Sequence, residues 1–162
     1  RRRHSFPTRR SSDLFQSFSL ICRIIDERFP EYENAIPKEN NEILTINRLE
    51  FLSSVKRISI YSNKTTHQIR LKLSANKLTL SAEDLDYSNE ANEALTCDYA
   101  GKDMEIGFNA KLISELLSNL SSKFVDIKLS EPNKAGLIIP SDQDEAEDIL
   151  LLVMPVMLNS YN

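Results

Sequence analysis

The sequence predicts an α+β protein built from a duplicated β-α-β-β-β unit, with two amphipathic helices packed on antiparallel sheet. Three observations carry this. Two asparagines, Asn47 and Asn109, each stand between a short apolar segment and a helical stripe, and they are 109 − 47 = 62 residues apart. The stripes recur at helical spacing: Phe51, Leu52, Val55 and Ile58 after the first asparagine, and Leu112, Ile113, Leu116, Leu117 and Leu120 after the second. Between and after them, apolar residues alternate with polar ones, as in strands with one wet face. Helices segregated to one face of antiparallel sheet make a layered α+β domain.

Taken in order, residues 21–32 (ICRIIDERFPEY) read as the end of a strand running into a connection marked by Pro30 and Pro37. A polar turn, KENNE, precedes a strand at 43–46. Asn47 then offers its side-chain oxygen to the free N–H groups of a helix over 48–59, whose outer face carries Glu50, Ser53, Lys56 and Arg57. Ile69, Leu71 and Leu73, then Leu78 and Leu80, form a hairpin that reverses at Ala75-Asn76-Lys77, and a third strand is expected at 95–99. The order then repeats: a strand at 104–108, the cap Asn109, the second helix, and strands at 125–129, 136–139 and 149–154.

Composition narrows the chemistry. The 162 residues are 41% hydrophobic and 27% charged, enough for one domain with a real core and perhaps a piece of another. Residues 1–14 hold five arginines and one aspartate, a net of +4. Subtracting them from the totals leaves 20 − 5 = 15 basic and 24 − 1 = 23 acidic residues, a net of −8. A basic tail on an acidic body suits a nucleic-acid arm or a targeting peptide, yet the run at 14–25 is broken by Gln16, Ser17, Ser19 and Arg23. The preferred reading is that residues 1–14 are a non-native or disordered basic segment outside the fold. No window reaches the roughly 18 apolar residues of a membrane span.

Catalytic and metal chemistry find little support. Three glycines give no phosphate loop, and Cys22 and Cys97 lack CxxC spacing, so free thiols in a reducing cytoplasm are expected. His4 lies in the basic segment, and His67 follows Thr65 and Thr66 with no nucleophile beside it. The acidic group Asp142, Asp144, Glu145, Glu147 and Asp148 lacks the order of a calcium loop and reads as a solvated turn. No catalytic residue, metal ligand or cofactor is assigned.

Three stretches resemble the bacterial sliding-clamp family, the beta subunit of DNA polymerase III, in the family's order. They are residues 26–37 (DERFPEYENAIP), 104–109 (MEIGFN) with its helix, and 153–158 (VMPVML); residues 62–71 (SNKTTHQIRL) match in spacing. Each is weak alone; four in register are specific. The resemblance implies a non-catalytic C-terminal fragment: 15–32 the tail of a second clamp domain, 33–162 the third. In the whole protein it implies a cytoplasmic homodimeric ring that encircles double-stranded DNA without reading sequence. Short peptides of the replicative polymerase, the clamp loader and repair proteins would bind it.

The resemblance also implies residues. A peptide pocket is expected from Pro30, Asn34, Ala35, Asn109, Leu112, Lys134 and Gly136, closed by Leu152, Val153, Met154, Pro155, Val156, Met157 and Leu158. Flexible methionine and aliphatic side chains suit a surface that accepts several partners. Asn34 and Met157 stand where the family often carries arginine, and Leu112 where an aromatic is common. Lys56, Arg57 and Lys111 are the DNA-facing residues, offering positive groups to phosphates. Ile60 and Tyr61, past the core stripe of the first helix, fall at the subunit contact. The rival readings are a small nucleic-acid-binding module led by the basic N-terminus and, more remotely, a hydrolase using the acidic loop.

Overall fold

The computed structural model describes residues 27–28, 30–143 and 147–158. The chain divides into two compact units, Arg1–Glu33 and Asn34–Asn162. The strand end expected at 21–26, Cys22 and the basic segment lie outside the described residues. A short 3₁₀ turn covers Tyr32–Ala35.

The second unit carries the fold. Its elements are β1 (Glu42–Asn47), α1 (Arg48–Ser59), β2 (Gln68–Ser74), β3 (Lys77–Asp84), β4 (Asn89–Thr96), β5 (Asp98–Tyr99), β6 (Met104–Asn109), α2 (Ala110–Ser118), β7 (Phe124–Leu129), β8 (Gly136–Pro140) and β9 (Leu151–Val153). They form two antiparallel sheets, β5-β1-β7-β8-β9 and β4-β3-β2-β6. The duplication therefore exchanges strands: β1 of the first repeat joins the sheet of the second, and β6 of the second joins the sheet of the first.

Both helices start as the sequence predicts. Asn47 has extended backbone (φ −62°, ψ 120°) and accepts from Leu49 N at 3.0 Å and Glu50 N at 3.1 Å. Asn109 repeats this for Lys111 N at 3.0 Å and Leu112 N at 3.3 Å. Such caps satisfy donors that the first helical turn cannot pair internally. The loop leaving each helix is tied to the start of the other. Ala110 N donates to His67 O at 2.8 Å and Arg48 N to Lys123 O at 3.0 Å. Arg48 also reaches the end of α2, donating through Nε to Ser122 O at 2.7 Å and Nη1 to Leu117 O at 3.1 Å, where a cation complements the helix dipole.

α1 and α2 pack on each other, α1 against β1 to β4 and α2 against β6 and β9. The core beneath them is continuous: Leu44, Phe51, Val55, Ile69, Leu71, Leu80, Ile106, Leu117 and Val125 are fully buried. Inward residues meet across the ladders, with Leu44 opposite Ile127 and Leu71 opposite Ile106, so register follows from the period of two. The hairpin reverses at Ala75–Asn76, and Asn76 takes the left-handed conformation (φ 57°) that asparagine tolerates.

Two strand expectations need correction. The strand expected at 95–99 is two pieces: β4 starts at Asn89, and the chain passes Cys97 to enter the other sheet as β5, opposite Leu44 and Thr45. The early part of β4, Asn89–Ala94, has low strand propensity and forms because β3 offers it a full ladder. The last strand, expected at 149–154, spans only Leu151–Val153, since Pro155 has no N–H to continue it.

Candidate functional site

The C-terminal segment passes from one sheet to the other. Leu151–Val153 pairs with β8, placing Val153 opposite Gly136. After Pro155, Val156 bridges Gly107 on the free edge of β6, donating its N–H to Gly107 O at 2.8 Å. Two residues on from Gly107, β6 ends at Asn109 and α2 begins. The crossing thus brings the segment 151–158 beside the first turn of α2.

Most of the expected pocket residues of the second unit meet at this corner, in different roles. Leu112 (51% exposed), Met154 (62%) and Met157 (76%) turn apolar side chains to solvent. Leu152, Pro155, Val156 and Leu158 are half-buried, and Val153 is a core residue. Gly136 is buried behind Val153, against Leu129, Phe108 and Val153, so it backs the corner and does not line it. Asn109 is committed to the helix cap, and its Nδ2 donates to Thr66 O at 3.0 Å. Lys134 sits on the exposed turn before β8, paired with Glu131 at 2.9 Å, which raises its pKa. Asn34 and Ala35 are exposed in the 3₁₀ turn. Pro30 belongs to the first unit, where its carbonyl accepts from Tyr32 N at 2.9 Å.

Gly107 stands inside the MEIGFN stretch at 104–109. A β-carbon there would lie 2.5 Å from Val156 O and 2.8 Å from Leu158 Cδ2. Its φ is not positive, so the glycine answers to close approach and not to backbone conformation.

Among the expected DNA-facing residues, Lys56 and Lys111 are exposed on their helices. Arg57 is engaged: Nε and Nη2 donate to the two carboxylate oxygens of Glu93 on β4, the first at 3.1 Å. That bidentate contact holds the Glu93 carboxyl below its ordinary range and raises the guanidinium further. Ile60 (77% exposed) and Tyr61 (42%) project beyond the end of α1. α1 packs on β4, whose outer edge pairs with no strand among the described residues.

A depression of about 430 Å³ lies elsewhere, on the β2–β3–β4 sheet around Arg70, Glu83, Asp86 and Glu90. Its lining is mostly polar, whereas an apolar ligand needs apolar side chains such as those at the C-terminal corner. His67 has a backbone task, in the left-handed region (φ 49°) with its carbonyl on Ala110 N. Cys97 is a buried thiol whose pKa is raised by desolvation and then by Asp98. Asp144 and Glu145 of the acidic loop lie outside the described residues. Among the described residues no group of three His, Cys, Asp or Glu is placed to hold a metal, and no helix is long and apolar enough to cross a membrane.

Residues 33–156 match the family model of the DNA polymerase III beta subunit, C-terminal domain. The beta sliding clamp of Pseudomonas putida is 30% identical over 141 residues, 87% of this chain and 37% of that protein. That of Vibrio cholerae is 29% identical with the same coverage. A Pseudomonas aeruginosa sliding clamp solved with griselimycin superposes with a TM-score of 0.77 at 30% identity, over 86% of this chain and 36% of that one. The clamp of Bartonella birtlesii, also with griselimycin, gives 0.73 at 31%, over 83% and 35%. The chain spans little more than a third of the length of these relatives. With its duplicated β-α-β-β-β architecture and a family match across almost all of its second unit, the chain belongs to the DNA polymerase III beta subunit family, as a member of its C-terminal domain.

Proposed function

We propose that this chain is the third domain of a cytoplasmic sliding clamp, a non-catalytic processivity factor, with residues 15–32 the end of the second domain. Joined to the rest of the clamp and to a second copy, it would form part of a ring around double-stranded DNA. Its own contribution would be the hydrophobic site that captures short peptides of the replicative polymerase, clamp loader and repair proteins. One observation carries the reading: the segment 154–158 leaves its sheet, crosses to the edge of β6 that runs into α2, and presents Met154 and Met157 to solvent. Contiguous exposed apolar side chains mark interaction surfaces, and methionine adapts to several partners.

The other roles rest on the same family reading. Lys56 and Lys111 would face phosphates, while Arg57 is partly neutralised by Glu93 and would contribute less. Ile60, Tyr61 and the free edge of β4 would meet the neighbouring subunit, since an open edge beside exposed apolar residues favours strand addition. Griselimycin, which the Pseudomonas aeruginosa and Bartonella birtlesii clamps bind, is a ligand this chain is expected to share.

The test is fluorescence polarisation with a labelled Gln-Leu-x-Leu-Phe peptide. Saturable binding, weakened about fivefold or more by Met154→Ala, supports the reading, since truncating an anchor at an interface centre costs above about 1 kcal/mol. Binding indifferent to Met154→Ala would move the site elsewhere.

A further inference from the structure

We infer that Gly107 is a positioning residue for the peptide site: its missing side chain is the seat that fixes the C-terminal segment against β6. The inference rests on the peptide-site reading above and adds a residue and a cause to it.

The internal duplication supplies the argument. The offset of 62 residues that aligns Asn47 with Asn109 aligns Leu44 with Ile106, both fully buried, and Thr45 with Gly107. In the first repeat, Thr45 pairs with Asp98 of the crossing strand β5 and keeps a side chain, whose Oγ1 donates to Asp126 at 2.7 Å. In the second repeat, Gly107 bridges Val156 of the crossing C-terminal segment. The strand position therefore accepts a β-branched residue, and only the approach of the tail demands glycine.

The contacts show how tight the seat is. A β-carbon at Gly107 would meet Val156 O at 2.5 Å, Leu158 Cδ2 at 2.8 Å and Leu158 Cγ at 3.3 Å. The first of these is backbone, which cannot rotate aside as the end of a side chain can. Adding one carbon must therefore lift residues 156–158 from β6 and break the Val156 N–H bond to Gly107 O. Val156 and Leu158 flank Met157, so the displaced stretch carries that exposed methionine with it. Two of the three glycines in the chain, Gly107 and Gly136, lie under this segment. At Gly136 the corresponding contacts are with side chains only, at 3.0 Å or more, and the constraint is weaker.

The experiment compares the unsubstituted chain with Gly107→Ala and Gly107→Thr, the residue of the first repeat. Polarisation of the labelled Gln-Leu-x-Leu-Phe peptide reads the site, and amide hydrogen exchange at Val156 and Leu71 reads the seat and the core separately. The expected result is peptide binding about tenfold weaker, with fast exchange at Val156 and protection retained at Leu71. Affinity lost only in step with protection at Leu71 would make Gly107 a merely structural residue and overturn the inference. So would unchanged affinity and unchanged exchange at Val156. Should both variants unfold, Leu158→Ala loosens the same seat without adding an atom, and is expected to weaken the peptide about threefold; unchanged affinity there overturns the inference too. If the unsubstituted chain binds no peptide, the peptide-site reading fails and the positioning role with it. If it binds and the variants bind equally, the inference alone fails.

Discussion

Replacing Asn109 by alanine should destabilise the fold about twice as much as the same change at Asn47. Both side chains cap a helix through Oδ1 and two backbone N–H groups, at 3.0 and 3.1 Å for Asn47 and 3.0 and 3.3 Å for Asn109. Losing such a cap costs about 1 kcal/mol. Asn109 makes one bond more, from Nδ2 to Thr66 O at 3.0 Å, which ties the loop leaving α1 to the start of α2. An intramolecular hydrogen bond of this kind adds about 1 kcal/mol. The expectation is thus a loss of about 2 kcal/mol for Asn109→Ala against about 1 kcal/mol for Asn47→Ala. Urea denaturation followed by far-ultraviolet circular dichroism measures both, and equal slopes would show that the denatured state is unchanged. Equal losses, or a larger loss at Asn47, would refute the assignment of a linking role to Asn109. A further arm reads function, because Asn109 precedes Leu112 by one helical turn: Asn109→Ala should weaken peptide binding and Asn47→Ala should not.

Other expectations follow from burial and charge. Phe51→Ala empties a fully buried position under both sheets and should cost about 3–5 kcal/mol, read by thermal or urea denaturation. Leu112→Asp should abolish peptide binding yet shift stability by less than about 0.5 kcal/mol, because the side chain is 51% exposed. Tyr99 is fully buried, donates to Lys102 O at 2.6 Å, and has its phenol pushed up to about 12 by burial and then by the Glu42 carboxylate. A pKa raised in the folded state stabilises below the unfolded value: the contribution is full below about pH 10 and is lost as pH rises through about 12. Alkaline unfolding should therefore include a step on the order of 2 kcal/mol that Tyr99→Phe removes, at the expense of the Lys102 bond at neutral pH.

The helices and most strands are legible in the sequence because their signals are local. Asn47 and Asn109 cap helices at the predicted residues, and the stripe Phe51, Leu52, Val55 and Ile58 buries as its spacing requires; of the second stripe Ile113, Leu117 and Leu120 are buried, Leu116 is half-buried and Leu112 is exposed. Alternation shows which face of a strand is buried but not which strand lies beside it. The exchange of β1 and β6 between two sheets, and the crossing at Cys97, were therefore invisible. The weak start of β4 escaped for a related reason: Asn89–Ala94 is a strand because of β3, not because of its own residues. At the candidate site, Met154, Met157 and Leu112 could be named from resemblance, and they are the exposed apolar residues of the corner. Gly107 could not be assigned a role, because the atoms that exclude a side chain there come from residues 156 and 158, far along the chain. Arg57 looked like a free cation for the same reason, its partner Glu93 being 36 residues away.

The central claim is that the C-terminal corner, and not the polar depression on the β2–β3–β4 sheet, receives the peptide. Nuclear magnetic resonance of the isotopically labelled chain, titrated with the unlabelled Gln-Leu-x-Leu-Phe peptide, tests it most directly. The account predicts that the moving amides cluster at 107–112 and 151–158, with Glu83, Asp86 and Glu90 unaffected. Shifts centred on those three residues, or none at saturating peptide, would contradict it.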